Sequence, residues 1–351
     1  MTLRPVLSHP PHVHAGERVA VLSPSWAGPA VYPHVHDLGL QRLRDELGLE
    51  PVEYPTTRRL GASPQERARD IEAAFADPDI RAVMASIGGS DQILVLRHLD
   101  PEVLRANPKP FFGYSDNTNL LIYLWNLGIV GYHGGSTLVH LGRPGRLHPA
   151  TLDSLRRALF DHGLPVEVTP ARDFSDENGD WAQQTAGTPE PVMREAAGWT
   201  WRGDARTVKG PSWGGCLEIL DFHLRAGRYL LDPHAYAGCV LLLETSEELP
   251  SAEYVRRVLL GMGERGMLGQ FAAVVVAAPK AWSLEQRTSP AEREAYMIAQ
   301  REAVASMLDD YNPGVPTVFG VEFGHTDPQV VMPHGGEVMV DGAERRLFVT
   351  Y

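Results

Sequence analysis

Short apolar runs alternate with amphipathic stretches along the first half of the chain. The segment Arg18–Leu22 is rich in valine and stopped by Pro24, the pattern of a buried strand. From 34 to 47, Val35, Leu38, Leu43 and Leu47 share one helical face; Gly48 ends the run, and residues 49–54 fit a second strand. Ser63, Pro64 and Glu66 then give the clearest helix start in the sequence. The serine caps, the proline occupies the first turn, and the glutamate three residues on completes a capping box. That helix runs to about Ala76. Strands at 80–87, 110–114 and 130–133 follow, with helices at 92–99, 117–127 and 151–160. Strand and helix alternating at this spacing build a parallel sheet covered on both faces, with ligands beyond the carboxyl ends of its strands.

The pattern breaks between about 170 and 198, where Asp, Asn, Gly, Pro and Thr recur without a period. It resumes as helix 214–224, strand 239–243, helix 252–260, strand 271–278, helix 290–311 and strand 316–319. Segments 330–332, 337–340 and 347–350 form a β-rich tail that reads as hairpins. With 351 residues the chain exceeds the roughly 250–300 at which a single core stops growing. The expectation is an α/β protein of two domains. Residues 1–165 form a parallel-sheet domain of Rossmann or flavodoxin-like kind, 166–205 an excursion, and 206–351 a mixed α/β domain with a β-rich end.

The 44 acidic residues outnumber the 32 basic ones, and a net charge of −12 repels phosphate backbones and anionic membranes. Neither nucleic acid nor membrane is an expected partner. Two cysteines, Cys216 and Cys239, cannot make a disulfide framework. The longest apolar run, 271–278, is too short to span a bilayer. The N-terminal sequence has no secretory pattern, so the cytoplasm is the expected address. A P-loop motif is absent, and His12/His14 and His34/His36 lack further zinc-like spacing. No cofactor and no metal are expected.

Candidate chemistry starts at FFGYSDNTN, residues 111–119, where an apolar strand runs through Ser115 into a helical pattern. A serine on such a turn has an exposed hydroxyl and free amides at the helix N-terminus. Local chemistry alone favours the simpler reading, a helix cap by Ser115, Asp116 or Asn117. Gly88-Gly89 closes the preceding strand, either as a plain turn or as a place where an amide approaches a ligand. Glu244 ends the run CVLLLE, and His325 follows Gly324 just after a strand. Glu247 and Glu248 read as a solvated loop.

The order Gly-Gly, Gly-Tyr-Ser-Asp, Gly-Gly-Cys-Leu, Leu-Leu-Leu-Glu and Phe-Gly-His resembles the LD-carboxypeptidase family of serine peptidases, in its microcin C immunity branch. The resemblance implies a Ser–Glu–His triad of Ser115, Glu244 and His325, with oxyanion donors at the backbone N–H of Gly89 and Asp116. It implies an active site in the cleft between domains, acyl-enzyme chemistry without a cofactor, and a homodimer. Three tryptophans in or beside the excursion, Trp181, Trp199 and Trp201, sharpen the substrate. By resemblance, Trp181 and Trp199 are expected to stack a nucleobase, while Trp201 stays open between stacking and packing. The expected substrate is then an acidic aminoacyl group joined by an amide-like bond to a nucleotide. The alternatives are a carboxypeptidase acting on murein tetrapeptides and an inactive module that binds a peptide or nucleotide.

Overall fold

The computed structural model describes residues 4–161 and 163–351. Five parallel strands form the first sheet in the order Gly131–His133, Phe111–Gly113, Ile80–Ala85, Arg18–Leu22 and Glu50–Glu53. The helices Pro33–Asp45 and Pro64–Ala76 belong to its crossovers. The capping box forms: Ser63 N–H donates to Glu66 Oε2 at 2.9 Å, and Glu66 N–H donates to Ser63 Oγ at 3.3 Å. A short helix, Pro101–Ala106, capped by Asp100, was not expected from the pattern.

A sixth strand in this sheet comes from the far end of the chain. Met332–His334 pairs antiparallel with Gly131–His133. The tail was expected to form hairpins only, and this part of it departs. The strand Gly131–His133 would otherwise be a buried, unpaired edge, and its backbone groups need partners.

The second sheet has eight strands, in the order Pro165–Val168, Arg346–Thr350, Glu337–Asp341, Thr207–Cys216, Val240–Glu244, Ala273–Ala277, Thr317–Val321 and Thr200–Arg202. Its central four are parallel and the flanking pairs antiparallel. The strand Thr207–Cys216 corrects the expected helix 214–224, which starts only at Leu217 and ends at Ala226. Gly214 and Gly215 continue the strand with φ of +127° and +126°, and a Cβ on Gly214 would stand 2.1 Å from Leu242 O. Only glycine allows that approach, and a pattern based on helix formers misses it.

The helix Thr118–Asn126 couples the two sheets. Ile122 and Trp125 pack into the second domain's core with Trp213, Leu217 and Tyr236, and Trp125 Nε1 donates to Ser212 O at 3.2 Å. The excursion is folded. Asp173–Phe174 pairs with Arg194–Glu195, Trp181–Gln183 makes a 3₁₀ turn, and Ser175 and Asp327 exchange backbone hydrogen bonds of 2.6 and 2.8 Å. Among the described residues no helix is long and apolar enough to cross a membrane.

Candidate active site

Ser115 follows the buried strand Phe111–Gly113 and opens the one-turn 3₁₀ helix Ser115–Asn117, ahead of Thr118–Asn126. Its φ is +60°, left-handed backbone that a non-glycine residue adopts only under constraint. The constraint is visible. Asn117 Nδ2 donates to Tyr114 O and to Ile87 O, both at 3.1 Å, and Gln92 Nε2 donates to Asn117 Oδ1 at 2.8 Å. The serine is thus held proud at the carboxyl end of the sheet, the geometry of a nucleophile elbow.

The Gly88-Gly89 turn packs directly on this elbow. A Cβ on Gly88 would stand 2.9 Å from Ser115 Cβ, 3.0 Å from Oγ and 3.3 Å from Asp116 N, so only glycine fits there. The Asp116 carboxylate secures the turn: Oδ2 accepts from the N–H groups of Asp91 at 3.1 Å and Gln92 at 3.0 Å, and Oδ1 accepts from Asn119 Nδ2 at 2.8 Å. Burial pushes the Asp116 carboxyl up to about 6, against the backbone donors that favour its charge. Arg67 holds the other side, bidentate on Asp91 at 2.7 and 2.8 Å and donating to Ser25 O at 2.5 Å. Asp116 had been expected to contribute its backbone N–H. Its side chain, Arg67 and Gln92 were missed, because their partners lie far away in sequence.

Glu244 ends the buried strand Val240–Glu244, and its Oε2 lies 2.7 Å from His325 Nδ1. The loop bearing His325 is pinned to the first domain. Gln329 Nε2 donates to Gly324 O at 2.8 Å, Gln329 Oε1 accepts from Gly135 N–H at 2.9 Å, and Arg143 Nε donates to Asp327 Oδ2 at 2.7 Å. The Tyr114 ring, next to the serine, lies 4.9 Å from the His325 ring centre to centre. Glu247, expected to be plain loop, places Oε2 2.9 Å from His325 Nε2. Burial alone would lower the imidazole pKa; the Glu244 and Glu247 carboxylates outweigh it and hold the ring at about 10.

A cleft of about 620 Å³ runs over Ser115 and His325 and includes Gly88, Gly89, Lys280 and Glu247 in its wall. That size suits a small-molecule ligand. Trp26, Tyr32, Trp181 and Trp282 also line it. Trp181 meets Tyr32 edge-on at 5.4 Å, and His34 Nε2 bonds to Trp181 O at 2.9 Å. Trp199 is elsewhere: its indole N–H donates to Glu322 Oε2 at 3.0 Å, and it packs with Trp201 against the second sheet's core. It is held as a packing residue and does not pair with Trp181. A second cavity, of about 360 Å³, opens from Gly89 and Ser115 toward Cys216, Glu218, Asp221, Arg225, Glu247 and Glu248. The serine stands where the two meet.

Two sheets that bring a strained serine to one cleft with a carboxylate-bound imidazole make a hydrolase of the serine type, and comparison with known proteins agrees. The chain belongs to the LD-carboxypeptidase (peptidase S66) family: residues 19–134 match the LD-carboxypeptidase N-terminal domain and 209–340 the C-terminal domain. YocD of Bacillus subtilis, named as a carboxypeptidase, is 38% identical over 297 residues, 80% of this chain and 78% of that one. An MccF-like protein from Streptococcus pneumoniae, solved in complex with AMP, superposes with a TM-score of 0.83 at 27% identity, over 95% of this chain and 99% of that one. The microcin C7 self-immunity protein MccF, known from Escherichia coli and solved with aspartyl sulfamoyl adenosine, shares the fold with a TM-score of 0.82 at 21% identity, over 99% of both chains.

Proposed function

We propose that this protein hydrolyses an amide-type bond joining an aminoacyl or short peptidyl group to a nucleotide, through an acyl-enzyme on Ser115. The observation that carries the reading is the aromatic wall of Trp26, Tyr32, Trp181 and Trp282 in the cleft shared by Ser115 and His325. Three exposed apolar side chains, Trp26, Leu60 and Leu284, lie on the same wall. A planar base gains about 1–3 kcal/mol per aromatic partner without needing a hydrogen-bond code.

In this mechanism His325 Nε2 takes the Ser115 proton as Oγ attacks the carbonyl carbon. The N–H groups of Gly89 and Asp116 receive the oxyanion, each contributing about 3 kcal/mol. Glu244 orients the ring through Nδ1–H and stabilises the imidazolium. The C–N bond breaks and the leaving nitrogen takes the proton from Nε2. Water then gives a proton to His325 and attacks the ester, and Ser115 leaves with that proton, freeing the carboxylic acid. His133 stands behind the pair, its Nε2 3.8 Å from Glu244 Oε1. Burial lowers its pKa well below the ordinary value, so it adds no competing charge.

The second cavity changes the expectation for the acyl half. Glu218, Asp221, Glu247 and Glu248 line it, and its one arginine, Arg225, is held by Asp221 at 2.6 Å. An acidic acyl group is repelled there; one bearing an ammonium group is attracted. That feature also favours a second reading, a murein peptide carboxypeptidase, since murein peptides carry an amine-bearing diamino acid. The deciding experiment is a hydrolysis panel of aminoacyl-nucleotide conjugates against murein tetrapeptide, with fluorophosphonate labelling of Ser115. Faster cleavage of the conjugates supports the proposal; faster cleavage of tetrapeptide replaces it with the second reading. The homodimer is part of the proposal, and sedimentation of the intact protein tests it.

A further inference from the structure

Lys280 lies in the loop that follows the strand Ala273–Ala277, at the carboxyl end of the second sheet. Its side chain is among the largest fully buried ones, at 2% exposure, and its Nζ has no hydrogen-bond partner among the described residues. The carboxylates whose fields reach it are already engaged. Asp176 is held by Arg194 and by Arg293 at 3.1 Å, Glu177 by Arg293 at 2.6 Å, Asp327 by Arg143 at 2.7 Å and Glu247 by His325 at 2.9 Å. Burial lowers the ammonium to about 8, resisted by these carboxylates, so it is mostly charged at neutral pH. A buried cation without a partner is costly, and apolar replacements at such positions are commonly neutral or stabilising. Lys280 nonetheless lines the cleft of Ser115 and His325.

We infer that Lys280 Nζ binds the anionic group that the leaving half of the substrate carries next to the scissile nitrogen, either the phosphoryl group of a nucleotide or the carboxylate of a C-terminal amino acid. The inference rests on the hydrolase reading above. The side of the cleft follows from the lining: Lys280 lines the same cavity as Trp26, Tyr32, Trp181 and Trp282, and the carboxylate-rich cavity across Ser115 does not include it. A lysine ammonium is a compact point charge that suits either oxyanion. On the leaving side Asp91, Asp180, Glu247 and Glu285 also line the cleft, Arg67 is held by Asp91, and Lys280 is the buried cation left without a hydrogen-bond partner among the described residues.

The test uses four substrates with one aminoacyl group: a phosphoramidate-linked nucleotide, its phosphate-free nucleoside counterpart, an amino acid with a free carboxylate, and its carboxamide. Wild type, Lys280→Met and Lys280→Arg are compared. For the anionic substrates, Lys280→Met is expected to raise KM roughly tenfold to a hundredfold, the range for losing a charge-assisted hydrogen bond. The neutral counterparts should change less than about twofold, and Lys280→Arg should recover part of the loss. Whichever anionic pair discriminates identifies phosphate or carboxylate as the ligand. Equal effects on anionic and neutral leaving groups overturn the assignment. Lys280→Met is also expected to melt at or above wild type; a large fall in Tm would make Lys280 a structural partner and overturn it too. Calorimetric titration of AMP into Ser115→Ala and Ser115→Ala/Lys280→Met needs no turnover. Weaker AMP binding in the second, with no hydrolysis of any substrate by wild type, leaves the anion site standing while the hydrolase reading fails. Turnover in wild type without discrimination, and equal AMP binding, removes Lys280 alone.

Discussion

Glu247 Oε2 stands 2.9 Å from His325 Nε2, the nitrogen that receives the serine proton in the proposed mechanism. With Glu244 at Nδ1, the ring is bracketed by two carboxylates. The two carboxylates outweigh burial and raise the imidazole pKa to about 10, which favours its protonated form. The Glu247 side chain is 57% exposed and lines both cavities.

This arrangement fixes the direction of the pH dependence. A pKa held near 10 means that the free base is scarce at neutral pH and grows as pH rises. The acid limb of kcat/KM, which reports the free enzyme, should therefore still be climbing above pH 8. Glu247→Gln removes one of the two anions that stabilise the cation, so its acid limb should move to lower pH. An unchanged limb in that variant would separate Glu247 from the base.

The second prediction concerns the elbow. Ser115→Ala should abolish hydrolysis, a loss of about 10⁴-fold or more, with Tm close to wild type because the backbone strain stays. Ser115→Gly should be equally inactive yet more stable by about 1 kcal/mol, since glycine relieves the left-handed strain. Thermal melting alongside turnover checks both. Residual activity near wild type in either variant would remove Ser115 as nucleophile.

Much of the fold could be read because its signals are local. The strand Arg18–Leu22, the capping box at Ser63 and the helix Pro290–Tyr311 are each set by adjacent residues. What escaped was set by distant partners. The strand Met332–His334 has a sheet to join only once the first domain exists, and Thr207–Cys216 is extended through Gly214-Gly215 against a neighbouring strand. The site divides in the same way. Ser115, Glu244 and His325 sit at element ends where the sequence pattern changes. Arg67, Gln92, Gln329 and Lys280 lie inside ordinary-looking segments, and only the tertiary contacts give them a role.

Asp116 should act on rate more than on binding. Asp116→Ala leaves the N–H groups of Asp91 and Gln92 without their acceptor, at about 1–3 kcal/mol each, and frees the Gly88-Gly89 turn from the elbow. We expect kcat and the rate of fluorophosphonate labelling to fall together by about tenfold or more, with KM little changed. Asp116→Asn keeps one acceptor oxygen and should fall in between. A KM effect without a kcat effect would place Asp116 in substrate binding and not in holding the oxyanion turn.

Trp181 carries the last prediction, because it distinguishes a nucleotide substrate from a plain peptide. It is half-buried in the cleft wall, edge-on to Tyr32, and its loop is held by His34. Loss of one stacking ring costs about 1–3 kcal/mol, roughly a fivefold to 150-fold rise in KM for a nucleotide conjugate. Trp181→Ala should show that rise, and a dipeptide amide with the same acyl group should show almost none, since it has no base to stack. Trp199→Ala is the control. It deletes the donor to the buried Glu322 carboxylate and should lower Tm, leaving the ratio of the two KM values where it was. If Trp181→Ala weakens both substrates alike, the ring is shaping the cleft and is not holding a base, and the murein peptide reading gains the ground that the nucleotide reading loses.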